Sequence, residues 1–460
     1  MKAPTSWSYA PYRPANERSK NEVYISRVAP YENSVTIDWF CIDGKRPENY
    51  TVTFAERGGE NAVTYTVPDE TLTIENLETN AEYEFSVSSE NGEKFSRKRL
   101  VRTGRVFGTV VNYLHPDDTY YSHSGQYLCS PCLLKLPDKT LLASMDVFEG
   151  GGTQNLTLIF KSTDGGKSWK YLSEVCPCFW GQLFLHDGDI YLLGCSTEYG
   201  DVLIGRSTDG GKTFGIPTVL GRGNLKAGGW HKAPCVVAEY GGRLYTAIEF
   251  GGWSASKFFS TCVFSAPVDS DLLSPKAWSI TEPVRLEKNE KGENRGFIEG
   301  NVVELPDGSL VNILRSIKAD EPQNALVYEI DTQDPEAPEV PCEKKINFPS
   351  HNSKFEIKRE PESGVYYAIG TWNYTSPDVS DRRVLSLFRS VDGFSWEKAK
   401  DLLDIRSEQS DPLAEGFQYP SFEFDGENII YLSRTALNKP HNFHDSNYTT
   451  FHIIENFRSL

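Results

Sequence analysis

The sequence predicts an all-β protein: a small antiparallel sandwich over residues 21–103 and a six-bladed β-propeller over 104–460, seven being the alternative blade count. Three observations carry this. Residues 21–103 alternate apolar and polar side chains in period 2 between closely spaced turns. The remainder repeats one unit six times, an apolar strand, a tight turn and a second strand. The turn phrase STDGGKSW at 162–169 returns as STDGGKTF at 207–214 and, one residue shorter, as SVDGFSW at 390–396.

Residues 1–20 are polar and proline-containing and read as an extended lead-in. NSVTIDWF, NYTVTFAE, AVTYTV, LTIENL and AEYEFSVSS then supply the sandwich strands. Trp39 ends one strand where a core indole would sit, and Leu77 stands six residues before Tyr83. That spacing resembles the tyrosine corner of fibronectin type III domains, a resemblance that implies a spacer or docking module.

From 104 on, the repeated hairpins open at Ser130, Gly181, Lys232, Glu299, Asn352 and Tyr419. Each turns at Pro-Asp, Asp-Gly, Gly-Gly or Ser-Gly, and third strands such as NLTLIFKS and DVLIGRS follow. The last unit has three strands, leaving RVFGTVVNYL (105–114) to supply its fourth and hide the sheet edges. The turn phrase resembles the Asp box of sialidases and related propellers. Ser162, Asp164, Gly166 and Trp169 fit it, as do Ser207, Asp209, Gly211 and Phe214, and, in the shorter version, Ser390, Asp392 and Trp396. The resemblance implies that these boxes are structural and face away from the active site. Aspartate caps backbone N–H groups, glycine takes positive φ, and the aromatic packs between blades.

Composition narrows the function. A net charge of −17, with 47 basic against 64 acidic residues and no Lys/Arg run, excludes nucleic acid and anionic membranes as partners. No apolar run approaches the ~18 residues of a membrane span, and the start lacks a signal-peptide apolar region. The expected location is the cytoplasm, or outside the cell where a leader has been removed. Nine cysteines without framework spacing read as free thiols, mostly buried. A zinc site from Cys129, Cys132, Cys176 and Cys178 is the alternative. No cofactor is called for, and the chain is expected as a monomer or small homo-oligomer.

In a propeller the first strand of each blade lines the axis, and ligands bind where those strands begin and the second-to-third-strand loops project. Polar residues recur there: Trp180, His231, Lys232, Glu299, His351, Lys354, Gln418 and Tyr419 at strand starts. Asp146, Glu198, Glu249, Trp253, Arg315, Arg434, His441 and His444 come from loops. A wet, polar, aromatic-flanked pocket suits a glycan substrate. Glycoside hydrolysis needs two carboxyls, or a tyrosine nucleophile as in sialidases. Glu249 in AIEFGGW and Glu299 in IEGN are acids embedded in apolar strand text, where burial raises a carboxyl toward a general acid. They form the preferred catalytic pair of an exo-acting hydrolase on polar or acidic glycans.

Sialidases hold the substrate carboxylate with three arginines. Arg315 and Arg434 fit that role, with Arg206 as the third candidate. The family's Arg-Ile-Pro stretch is replaced here by LCSPCLL, so the resemblance supports a sialidase-like propeller rather than sialic acid itself. Lys232, His351, Lys354, Gln418, Glu198, Asp146, Trp253, His441 and His444 complete the substrate-binding set. Two other readings stand beside this one. His231 and Tyr419 suit a lyase or rhamnosidase-type enzyme on uronate glycans, with Lys beside His favouring a neutral base. A non-catalytic glycan- or protein-binding propeller is the third. His441, His444 and Asp445 form either a loop-closing cluster or a metal site.

Overall fold

The computed structural model describes residues 21–223, 228–252, 258–285, 297–316, 325–344, 346, 348–350, 353–374, 380–408 and 410–460. Among them the regular structure is strand, with three short 3-10 turns and no α-helix. No described helix is long and apolar enough to cross a membrane.

The N-terminal strands form two sheets. Val23–Pro30, Val35–Cys41 and Thr71–Ile74 make one; Ala62–Val67, Tyr50–Glu56, Glu82–Ser89 and Arg99–Arg102 make the other. Alternate residues of both turn inward, so Ile37, Trp39, Val52, Phe54, Phe85 and Val87 fill the space between them. Glu78 N donates to Tyr83 Oη at 3.1 Å, the hydrogen bond that the Leu77–Tyr83 spacing anticipates.

Six further sheets follow. The first runs Tyr127–Lys135, Leu141–Phe148, Leu156–Ser162 and Lys170–Val175; the second runs Phe179–His186, Asp189–Cys195, Val202–Ser207 and Thr218–Gly221. The third is built around Arg243–Gly252 and Phe258–Pro267. Its first strand, expected to run unbroken from Lys232, is instead two pieces, Gly229–His231 and Ala238–Tyr240. Pro234 lies in the gap and has no N–H to give the ladder. The fourth sheet holds Phe297–Glu304, Leu310–Ser316, Ala325–Ile330 and Val340–Pro341. The fifth holds Glu356–Arg359, Tyr366–Thr371, Val384–Ser390 and Glu397–Asp404. The sixth joins Gly416–Asp425, Asn428–Ala436 and Tyr448–Ile454 to Thr109–Tyr113, the first strand after the sandwich.

Hydrogen bonds link each sheet or its loops to the next. Leu183 N reaches Cys132 Sγ, Trp230 N reaches Gly200 O, and Glu304 N reaches Tyr240 Oη. Ile357 N then reaches Asn301 Oδ1, Phe422 N reaches Glu356 Oε1, and Leu133 N reaches Ser421 Oγ, from the first sheet back to the sixth. The repeated turns share one construction. Asp164 Oδ1 accepts from Ser168 N at 3.0 Å while Gly166 N donates to Ser162 Oγ at 2.9 Å, and Ser207/Asp209 and Ser390/Asp392 repeat it. Gly166 has φ 85°, and a Cβ there would meet the Phe451 ring at 2.0 Å. Trp169 packs on the same ring, centroids 5.5 Å apart, so this box joins the first sheet to the sixth. All nine cysteines are free, and Cys41, Cys129, Cys132, Cys178, Cys195, Cys235 and Cys262 are buried.

The sandwich is fastened to the larger body through buried polar groups. Arg27 donates to Val110 O at 2.7 Å, to Val111 O at 2.9 Å and to Asp38 Oδ2 at 3.1 Å. Asp38 also takes Lys170 Nζ, and Tyr24 Oη donates to the buried Glu174. Replacing Arg27 by Met strands two buried carbonyls and half-strips Asp38. It is expected to lower the unfolding free energy by about 3–5 kcal/mol. Urea denaturation checks this, and an unshifted midpoint would show that the fastening is dispensable.

Candidate active site

Four first strands carry the same irregularity near their start. In the first sheet Cys129 faces Asp146 and Cys132 faces Ser144, so one extra residue is accommodated between them. The same shift separates Phe179 from Gln182, Ile298 from Asn301, and Gln418 from Ser421. The residue entering each bulge is left-handed: Ser130 at φ 48°, Trp180 at 57°, Glu299 at 62° and Tyr419 at 50°. Each is followed by Pro or Gly: Pro131, Gly181, Gly300 and Pro420. Large side chains are costly in this backbone region and gather where a fold must aim them. Opposite the residue before each bulge, at the end of the second strand, stand Asp146, Cys195, Arg315 and Arg434, and in the third sheet Glu249 faces His231.

One cluster forms from the fourth and sixth sheets. Glu299 forms an ion pair with Arg315, whose Nη2 donates to Tyr419 Oη at 3.2 Å. The Arg434 guanidinium lies 5.0 Å from the Tyr419 ring centroid and 5.1 Å from that of Phe148, and its Nη2 donates to His444 O. Arg382, from the loop before Val384–Ser390, stacks 4.8 Å from the Phe443 ring and donates to Gln418 Oε1. Burial pulls the Arg382 guanidinium down to about 9, with Tyr419 opposing and Arg315 and Arg434 adding to the fall. Burial pushes the Tyr419 phenol up to about 12, against the pull of Arg315. Arg434 Nε is buried without a hydrogen-bond partner among the described residues. A guanidinium depressed in this way is one that an arriving anion would stabilise.

Sequence reasoning missed Arg382 and offered Arg206 in its place. Arg206 lies one residue before the Ser207 turn and faces Asp189 at 3.7 Å, at the opposite end of its sheet from Cys195. The available signal was the pair Arg382-Arg383 just ahead of a third strand. Arg383 is taken by Asp381, and Arg382 turns inward.

A second group lies beside the first. His231 Nδ1 is 2.8 Å from Glu249 Oε2, and Glu249 Oε1 accepts from Gly300 N at 3.1 Å. The Trp180 ring packs edge-on to His231 with centroids 4.3 Å apart. Glu198 accepts from Gln154 at 2.8 Å, and burial raises its carboxyl against the pull of Gln154 and His231. Asp146 is fully buried; it accepts from Thr157 Oγ1 at 2.5 Å and from Trp180 N at 2.9 Å. Burial raises its carboxyl to about 8 in spite of those bonds.

Other expected substrate contacts sit differently. Lys232, 0% exposed, donates to Thr246 Oγ1, and Lys354, 1% exposed, donates to Glu356 and to Pro420 O; both are enclosed beneath the site rather than open to a ligand. Gln418 is likewise buried, its oxygen accepting from Arg382 and its nitrogen donating to Phe443 O. His441 and His444 both direct Nδ1 at Asp445, each at 2.9 Å, which makes them a hydrogen-bonded loop cluster. His441 stacks on Tyr127 at 5.2 Å, and His444 meets Phe148 edge-on at 5.4 Å. Among the described residues no group of three or more His, Cys, Asp or Glu is arranged to hold a metal ion. His351 and Trp253 lie outside the described residues.

Comparison with known proteins gives these arrangements a context. The family model described as BNR repeat-like domain matches residues 194–432, and that of the fibronectin type III domain matches 25–102. No curated protein matches the sequence. Among solved structures, a Hadza microbial sialidase is similar with a TM-score of 0.51 at 13% identity, over 97% of this chain and 98% of that one. The α-L-arabinanase of Penicillium chrysogenum, complexed with arabinobiose, reaches 0.50 at 14% identity, over 77% and 99%. The sialidase of Trypanosoma rangeli, in complex with 2,3-difluoro-KDN, reaches 0.51 at 14% identity, over 75% and 57%. At these identities the likeness is one of fold.

The raised Asp146 carboxyl has a measurable consequence. Its pKa of about 8 in the folded chain lies above the ordinary value of about 3.9. Between those values the folded state keeps a proton that the unfolded state has released, so stability falls as pH rises through that window. D146N carries no such proton and should show a shallower decline between pH ~5 and ~7.5. Equal slopes for the two proteins in urea titrations would overturn this.

Proposed function

Given that the chain belongs to the BNR repeat-like domain family, we propose that it is a glycoside hydrolase acting on glycans with an acidic terminal sugar. The six linked sheets, with Thr109–Tyr113 completing the last, support a six-bladed propeller closed by its first strand. The site then lies at the mouth, where the bulged first strands begin. One observation carries the reading: buried Tyr419 is contacted by Arg315, which is paired with Glu299, while Arg434 lies over the same ring and Arg382, stacked on Phe443, adds its charge beside the phenol.

The chemistry follows from those groups. A carboxylate on the sugar is met by the planar forks of Arg315, Arg382 and Arg434. A neutral phenol attacks a carboxylate-bearing anomeric centre without the repulsion that a second carboxylate would suffer. Tyr419 is therefore the nucleophile: its oxygen bonds the anomeric carbon as the glycosidic C–O bond breaks, Glu299 takes the phenolic proton, and the departing aglycone oxygen takes a proton from solvent. Water then displaces the tyrosyl oxygen, which recovers its proton from Glu299, with overall retention. The enclosure of Arg315, Tyr419 and Arg434 favours an exo mode, since a pocket this buried admits a chain end more readily than its middle. Sialidases among the structural neighbours agree with this class of reaction, and the arabinanase extends it to neutral sugars.

A second reading has its own observation. The His231–Glu249 pair at 2.8 Å resembles an oriented base, and with Tyr419 it would suit β-elimination on a uronate. Mass spectrometry of products from sialylated, uronate-rich and neutral glycans separates the two. Fragments gaining one water, with the released sugar retaining its anomeric configuration, are expected. Unsaturated uronate products would favour elimination, and unchanged glycans would favour a binding module. E299Q should lower kcat by about 10²–10⁴-fold, the scale of losing one acid–base group. R382K should raise KM for an acidic glycan by about 10-fold or more while sparing a neutral one.

A further inference from the structure

We propose that Glu249 is a positioning residue: its carboxylate clamps the backbone bulge that presents Glu299 and, with its other oxygen, orients His231. The inference rests on the hydrolase reading only in taking Glu299 as the catalytic base. The clamp itself is a matter of geometry. Glu299 is left-handed at φ 62°, and a bulge of this kind takes backbone groups out of the strand ladder. The Gly300 N–H is one of them, and buried N–H groups need a partner. Glu249 Oε1 supplies it at 3.1 Å, from the end of a strand in the preceding sheet. Gly300 leaves no slack on the other side: a Cβ there would lie 2.1 Å from Asn312 Oδ1 and 2.8 Å from Ala247 Cβ. Glu249 is 1% exposed, and both its oxygens are engaged, Oε2 by His231 Nδ1 at 2.8 Å.

The first sheet repeats the device. Asp146, near the end of the second strand and opposite Cys129, accepts at Oδ2 from Trp180 N, at 2.9 Å, in the next sheet's bulge. Two acidic side chains on different sheets, Asp146 on the N–H of left-handed Trp180 and Glu249 on the N–H that follows left-handed Glu299, each hold a bulge one sheet ahead and make a recurring construction. Trp180 in turn packs on His231, so the two clamps meet at one imidazole. A carboxylate suits the task because it accepts in two directions at once and binds N–H groups more strongly than a neutral acceptor.

The test compares the full-length wild type with E249Q and E249A. Glutamine keeps the volume but offers one acceptor oxygen, so it serves Gly300 N–H or the His231 Nδ1–H and not both. E249Q should lose kcat by about 10²-fold, the scale of a misplaced catalytic group. KM should stay unchanged, and formate or azide should not rescue E249A. Anion rescue of E249A would make Glu249 catalytic and overturn the proposal. A crystal structure supplies a readout independent of turnover: in E249A, Glu299 should leave the left-handed region or part from Arg315. An unmoved Glu299–Arg315 pair overturns the clamp. Should E249A fail to fold, the same geometry is read from E249Q. A wild type inert on every glycan, with Glu299 displaced in the variant, would sink the hydrolase reading and leave the clamp standing.

Discussion

The left-handed bulge at the head of the first strands is the constraint from which the site follows. An L-residue held in that region costs about 1–2 kcal/mol, and the chain accepts this at Ser130, Trp180, Glu299 and Tyr419. Relaxing one of them would restore regular pairing and turn its side chain to the other face of the sheet. Glycine or proline follows each one, and hydrogen bonds from neighbouring sheets pin the segment, as Lys354 Nζ does on Pro420 O. Much of the buried polarity near these strand starts is therefore support for a few aimed groups.

Charge is concentrated on the same support. Glu299, Arg315, Arg382 and Arg434 are all buried within reach of one phenol. Removing that many charges from water is unfavourable unless each finds compensation. Glu299 and Arg315 compensate each other. Arg382 and Arg434 rest on aromatic faces at Phe443, Phe148 and Tyr419, a contact that uses the faces of the guanidinium and not its in-plane N–H groups. The imbalance toward positive charge, set in a chain of net charge −17, is local and selective.

Glu299 and Tyr419 stood out in the sequence as an acid embedded in apolar strand text and a phenol at a strand start, and the structure brings both against Arg315. The sandwich was legible through its alternation and the Leu77–Tyr83 spacing, and the repeated turns through their fixed chemistry. Glu249 was equally visible but ambiguous: an acid in apolar text is what a clamp looks like as well as a catalyst, and only its hydrogen bonds separate them. Arg382 was invisible because Arg383 is chemically identical and adjacent, and which of the two turns inward depends on Asp381. Lys232 and Lys354 were misjudged for a related reason. A lysine at a strand start can reach outward to solvent or inward to a carbonyl, and period-2 patterning does not distinguish the two.

The sixth sheet joins residues 109–113 to a strand at 448–454, nearly the whole length of the larger body apart. A ribosome making this chain releases Thr109–Tyr113 long before its partner exists. At about 5–20 residues per second, the delay is on the order of tens of seconds. Throughout it, an apolar strand would have an open edge available to other nascent chains. The sandwich is already synthesised by then, and Arg27 holds the Val110 and Val111 carbonyls of that same strand. The N-terminal domain is thus made in time to anchor the strand that must wait longest for its partner.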